Sequence, residues 1–184
     1  MKINLFKLFK KENSLQEIYP MSSFDILLEP KNSYPFFASL KNNNVQAYSA
    51  RFMVKYEDVI KIENLIELFF LKKITQKKEC VSFNGKALHY FRFEEFNQTV
   101  IDITTNNIDL IKMLFDERLT PPGPDAVFPN SDFESLGSLQ GSMEYWWNVY
   151  WSPFWKVQSE QEKKIYFLRN NISNDLRDFM ILHS

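Results

Sequence analysis

Apolar and polar side chains alternate along four segments of the chain, and this period of two predicts β-strands. The first predicted strand runs from Gln46 to Tyr56, and three more follow at 80–83, 87–93 and 98–104. The dipeptide Asn84-Gly85 joins the second of these strands to the third. It is a strong hairpin signal, because both residues tolerate the positive φ of a tight turn. We therefore expect an antiparallel meander, with the 46–56 strand added to the same sheet.

A helical period follows the first strand and returns in the second half of the chain. The segment that opens at Glu57-Asp58 has acidic residues at its start and lysines after its end, an order that complements the helix dipole. Other predicted helices begin at residues that can cap free backbone N–H groups: Asn106 or Asn107, Ser159 with Glu162 in a capping box, and Ser173. Residues 119–140 form a long polar loop with four prolines, and loops of this length are often functional.

All four tryptophans lie within residues 143–155, beside two tyrosines and a phenylalanine. We expect one helix over about 141–151 and a new turn at Pro153, because proline disfavours a helical residue before it. At helical spacing the rings form two faces, with Trp147, Tyr150, Trp151 and Phe154 on one and Tyr145, Trp146 and Val149 on the other. Either one face is core and the other packs under the proline-rich loop, or one face anchors a protein partner. We expect Trp147 and Trp151 to be mostly buried.

These patterns predict an α+β fold, with an antiparallel sheet of about four strands packed with several helices and a helical C-terminal part. At 184 residues, the chain is expected to form a single domain over 1–184. Within it we distinguish an amphipathic N-terminal segment (1–13), an α+β core (46–118), the proline-rich loop (119–140) and an aromatic-rich helical part (141–184).

Composition excludes several kinds of chemistry. Cys80 is the only cysteine, so the chain cannot form an internal disulfide, and it lacks the histidine and cysteine spacing of a zinc site. Only four glycines occur, and none belongs to a phosphate-binding motif. We therefore expect no metal and no cofactor. Since no run of 18 apolar residues occurs, we also expect no membrane insertion and a cytoplasmic location.

Charge is spread unevenly, although the formal net charge is −1. Residues 94–144 hold ten acidic side chains and only two basic ones. Such a block repels nucleic acid and attracts a basic protein. The candidate partner-binding residues come from this block and the aromatic segment beside it: Asp109, Asp116, Glu117, Asp125, Asp132, Glu134, Glu144 and Trp146. A solvated face without a partner is the alternative interpretation.

Glu144 is the carboxylate that most suggests catalysis, because it lies beside Trp146 and Trp147 in the sequence. An apolar surrounding would raise the pKa of its carboxyl group and suit it to acid–base work. Glycoside-type chemistry needs a second convergent carboxylate, and none is indicated by spacing. We therefore expect that the protein is not an enzyme and has no catalytic residue. A small hydrolase-like enzyme with a pocket at the aromatic segment is the alternative.

The run 139–147, followed by 150–155 and 159–166, resembles the C-terminal part of small bacterial cytosolic proteins. With the lysine-rich opening at 2–11, it is similar to immunity proteins of polymorphic, contact-dependent or type VI secretion toxin systems. The resemblance implies that the chain binds and neutralises a cognate toxin domain, such as a nuclease, and it assigns no residue. A cytosolic adaptor that uses the basic N-terminal helix is a third interpretation.

Overall fold

A five-stranded antiparallel sheet forms the centre of the computed structural model, which describes residues 14–20 and 34–184. Its strands are β1 (Ala38–Ser39), β2 (Tyr48–Val54), β3 (Lys78–Phe83), β4 (Lys86–Glu95) and β5 (Gln98–Thr105). They lie in the order β1-β2-β5-β4-β3, so the predicted meander and its neighbouring strand are confirmed. The predicted segment at 1–13 and an apolar stretch at 24–28 lie outside the described residues.

The predicted number of strands was too low by one. β1 has only two residues and pairs with the start of β2, with Ala38 opposite Ser49. A strand of this length cannot show the alternation that identifies a strand in a sequence. The four longer strands lie within about two residues of their predicted bounds.

Two helices pack on one face of the sheet. Helix α2 (Tyr56–Phe70) buries Val59, Ile62 and Ile66, and helix α3 (Ile108–Asp116) lies beside it. Tyr90 and Arg92 of β4 both donate hydrogen bonds to the carboxylate of Glu63 in α2, at 2.9 and 2.7 Å. Because Tyr90 and Arg92 alternate with outward residues along β4, these bonds fix α2 to that face.

The remaining helices are short or follow the proline-rich loop. They are α1 (Leu15–Ile18), α4 (Pro124–Val127), α5 (Gly141–Trp146), α6 (Ser152–Trp155), α7 (Glu160–Arg169) and α8 (Asn174–Leu182). The predicted caps are confirmed: Asn107 accepts from the N–H of Leu110, and Ser159 and Glu162 form the capping box. Ser173 likewise caps α8. None of the helices in the described ranges is long and apolar enough to cross a membrane.

The aromatic segment forms one continuous helical run, and the break expected at Pro153 is absent. Between α5 and α6, residues Trp147–Trp151 form a π-helical turn. The N–H of Ser152 reaches back five residues to the carbonyl of Trp147, and Trp151 and Ser152 keep right-handed helical angles. The wider turn changes the hydrogen-bond register before the proline, so Pro153 is accommodated at the start of α6.

This helical run packs on the other face of the sheet, and its tryptophans are core residues. The Trp146 indole N–H points at the Met53 sulfur of β2 at 3.3 Å, and the Tyr150 hydroxyl donates to the Glu95 carboxylate of β4. Trp146 stacks on Trp151, which stacks on Trp155, with ring centroids 5.7 and 5.5 Å apart. All four tryptophans are buried, which confirms the expectation for Trp147 and Trp151.

Replacing Trp151 by alanine should lower the free energy of unfolding by about 3–5 kcal/mol. The Trp151 ring packs against the rings of Trp146, Trp155 and Tyr166, so its removal leaves a cavity among them. Chemical denaturation followed by circular dichroism measures the change. Tyr145→Ala is the matched control, since Tyr145 lies in the same helical run and is 45% exposed. Equal losses for the two variants would contradict the assignment of Trp151 to the core.

Candidate functional site

The structure separates the acidic residues that the sequence groups together. Asp109 and Asp116 lie on the outward side of α3, and Glu117 follows directly after it. Asp125 lies in α4 and lines a cavity, whereas Asp132 and Glu134 are exposed in the proline-rich loop. Glu144 is exposed in the first turn of α5. The acidic residues of 94–144 therefore belong to different elements of the fold, although they are close in the sequence.

Trp146 was assigned to a partner surface, and that assignment is wrong for the folded chain. The ring has 0% exposure, packs edge-on against Phe128 of the proline-rich loop and directs its N–H to Met53. A side chain enclosed in this way cannot reach a partner without unfolding of the helix. The neighbouring exposed ring is Tyr145.

An exposed surface that combines apolar and acidic side chains lies on the outward sides of α2 and α3, and we call it the α2–α3 face. Its large apolar side chains are Tyr56, Ile60, Leu68, Leu71 and Met113. Its exposed carboxylates are Glu57, Glu67, Asp109 and Asp116. Tyr56 is 80% exposed and Leu71 is 70% exposed. A group of large apolar side chains at the surface is more informative than a single one. The acidic residues of α3 are the part of this surface that the sequence indicates.

The carboxylates near the α2–α3 face differ in how far they are already neutralised. Asp58 is nearly buried and accepts a hydrogen bond from Lys61 at 2.7 Å, and this carboxylate raises the pKa of the lysine. Asp109 has only an exposed pairing with Lys112 at 3.6 Å. Asp116 has no ion pair within the described part of the chain. Glu57 and Glu67 likewise form no ion pair within the described residues, so Glu57, Glu67 and Asp116 keep the charge that is most available to a partner.

A groove runs between α7, the chain that follows α3, and the N-terminal end of α2; we call it the α7 groove. Its larger part has a volume of about 610 Å³ and its smaller part about 320 Å³, and Lys55, Tyr166 and Asn170 line both. Lys55, Arg118 and Arg169 bring positive charge to the larger part, against the single carboxylate of Glu162. Glu57 and Asp125 line the smaller part, so the groove changes sign along its length.

The wall of the α7 groove is held in place by the aromatic core. The Tyr166 ring contacts Trp151 and Trp155, with ring centroids 5.6 and 5.5 Å away. Its hydroxyl approaches the backbone of Gly123, where a Cβ atom would lie 3.0 Å from the oxygen. Glycine at this position therefore leaves room for the phenol. Burial, with a smaller contribution from Asp125, raises the pKa of Tyr166, so the hydroxyl stays protonated.

The described residues do not assemble a recognisable catalytic or metal-binding set. Within them, no cluster of three or more His, Cys, Asp or Glu side chains could hold a metal ion. Cys80 and His89 face each other across β3 and β4, but the His89 ring is bonded to the Tyr19 hydroxyl at 2.8 Å, and burial raises the pKa of the Cys80 thiol. A raised pKa disfavours the thiolate that a nucleophile needs. Glu144 lines neither part of the α7 groove.

No protein-family model matches the chain, and no curated protein or solved structure is significantly similar to it.

Ser159→Ala should lower the free energy of unfolding by about 1 kcal/mol at neutral pH, because Ser159 caps the helix that forms one wall of the α7 groove. Hydrogen bonds from the backbone N–H and hydroxyl of Ser159 lower the pKa of Glu162, with a smaller effect of Arg118. A lowered folded-state pKa stabilises the fold above the unfolded pKa and loses this effect as the pH falls.

The difference between wild type and Ser159→Ala should consequently shrink between neutral and acidic pH, as measured by urea unfolding at several pH values. It should not vanish, since the Ser159 hydroxyl also accepts from the N–H of Glu162. Ser142→Ala, at an exposed position of α5, is the control and should be close to neutral. A Ser159→Ala effect that grows towards acidic pH would contradict the capping assignment.

Proposed function

We propose that this chain is an immunity protein that binds and neutralises a cognate bacterial toxin domain, and that it contacts the toxin through the α2–α3 face. The observation that carries the proposal is the exposure of Tyr56, Ile60 and Leu68 on one 15-residue helix and of Leu71 directly after it. Clusters of large exposed apolar side chains bordered by charged ones are typical of protein interaction sites. The tryptophans of the aromatic segment are buried and do not form part of this face.

The charge of the two helices favours a basic partner. Helices α2 and α3 carry six carboxylates and two lysines, and four of the carboxylates are exposed: Glu57, Glu67, Asp109 and Asp116. Apolar side chains at the centre of an interface provide most of the affinity, while charges at its rim act on encounter and specificity. Many nuclease domains that bind nucleic acid are basic, because they neutralise phosphates. A basic toxin domain such as a nuclease is therefore the partner that this surface fits best.

The same geometry gives less support to a hydrolase-like enzyme. That alternative placed Glu144 in a pocket beside the aromatic segment, whereas Glu144 is solvent-exposed in α5. The α7 groove does lie between the aromatic part and the proline-rich loop. Most polar side chains in its larger part are cations or amides, and only one carboxylate, Glu162, lines it. The adaptor alternative depends on the N-terminal segment, which lies outside the described residues.

Asp109→Lys together with Asp116→Lys should slow association with the toxin domain encoded beside this chain's gene, with little effect on dissociation. Reversal of rim charges weakens the electrostatic attraction that accelerates encounter, and the effect should decrease as salt is added. Stopped-flow or surface-plasmon-resonance kinetics at low and high salt measures it. Asp175→Lys together with Asp178→Lys is the matched control, because it makes the same charge change on α8, a different helix whose Phe179 packs against Trp147.

Leu68→Ser together with Leu71→Ser should instead accelerate dissociation and abolish protection when toxin and immunity protein are produced together in growing cells. Both side chains are more than half exposed, so the folded state should keep its stability. Three results would contradict the proposal: a neighbouring gene product that is not toxic, full protection by this double variant, or equal slowing of association by the α3 and α8 charge reversals.

A further inference from the structure

We infer that the α7 groove is a binding site for a small organic anion, with its carboxylate or phosphate group held by Lys55, Arg118 and Arg169 and its apolar body lying along Tyr166. A volume of about 610 Å³ is within the range of small-molecule sites. The inference goes beyond toxin binding and does not depend on it, although Tyr56 and Glu57 lie where the groove meets the α2–α3 face.

The cations that line the larger part of the groove are not held in ion pairs with any described residue, and they outnumber its carboxylates. No ion pair within the described ranges uses Lys55, Arg118 or Arg169, whereas Arg51 and Arg92 are each paired with a carboxylate at 2.8 and 2.7 Å. Glu162 is the only acid that lines the larger part, and its Oε2 atom already accepts from both the N–H and the hydroxyl of Ser159. Three positive side chains at one cavity therefore lack a full counter-charge, which an anionic ligand would supply.

The neutral groups at the junction of the two parts suit the same ligand. The Tyr166 hydroxyl makes no hydrogen bond to any described residue, and the Tyr166 ring packs against Trp151, Phe154 and Trp155. The Asn170 side chain is fixed by its bond to the Tyr166 carbonyl at 2.8 Å. A phenol donor beside a lysine can bind one oxygen of an anion while the guanidinium groups bind the others.

The floor of the larger part requires a ligand with an apolar body. Its lining includes five apolar side chains: Phe115, Leu119, Phe154, Val157 and Ile165. Phe154 is itself buried against Trp151, with ring centroids 5.3 Å apart, so the floor is rigid. An inorganic anion would leave this apolar surface exposed to water, whereas the ring of an aromatic carboxylate or an aromatic phosphate ester would cover it.

The test is isothermal titration calorimetry of the full chain with phenyl phosphate and with benzoate, and with benzyl alcohol and inorganic phosphate as probes that lack the charge or the ring. We expect one saturable site for at least one of the two aromatic anions and much weaker binding of both control probes. Tighter binding of phenyl phosphate assigns the site to phosphate esters, and tighter binding of benzoate assigns it to carboxylates.

Arg118→Gln together with Arg169→Gln should weaken this binding by about tenfold or more, as expected for loss of hydrogen bonds to a charged group. Arg177→Gln is the control with loss of one charge, and it should leave binding unchanged. Arg177 of α8 lies over the Phe167 ring of α7 and does not line the groove. Tyr166→Phe keeps the ring and the charge of the groove and removes only the hydroxyl. This variant should bind the aromatic anion more weakly than wild type, because one hydrogen-bond donor is lost. No saturable binding of either aromatic anion, or equal binding by wild type and the double arginine variant, would overturn the inference.

Discussion

The stack of Trp146, Trp151 and Trp155 is the contact on which the C-terminal half of the molecule depends. At one end, Trp146 is joined to the sheet through the sulfur of Met53, and at the other, Trp155 packs against Tyr166 and Phe167 of α7. Trp147 extends the same cluster to Phe179 of α8. Helices α7 and α8 have few buried side chains of their own. Their positions, and with them the wall of the α7 groove, therefore follow from the packing of these rings.

Elements with strong local signals were predictable from the sequence, whereas the hydrogen-bond register of the aromatic segment was not. Strand alternation and the caps at Asn107, Ser159 and Ser173 describe interactions between near neighbours, and all of them are present in the fold. On an ordinary α-helix, Trp146 and Trp151 would point about 140° apart. The π-helical turn brings residues five apart onto one side, so these two rings stack. Division of the segment into two helical faces failed at Trp146 because that division assumed a constant α-helical period.

The same limit applies to the candidate sites. The acidic block at 94–144 is continuous in the sequence, but the fold distributes it between α3, the α7 groove and the proline-rich loop. The α2–α3 face takes its apolar side chains from a helix that also has a fully buried side. A sequence pattern does not distinguish an amphipathic helix with one apolar stripe from a helix with a second, exposed one. The α7 groove joins residues from 34 to 172, and no local motif marks such a set.

We propose that recognition takes place on the α2–α3 face, while the tryptophans of the aromatic segment belong to the core. Hydrogen–deuterium exchange of the chain, free and mixed with the proposed toxin domain, measures both parts of this proposal. Binding should slow exchange in peptides covering 56–72 and 108–117, and should leave the slow exchange of 143–155 unchanged. New protection confined to 143–155 or to the proline-rich loop, with α2 and α3 unaffected, would contradict it.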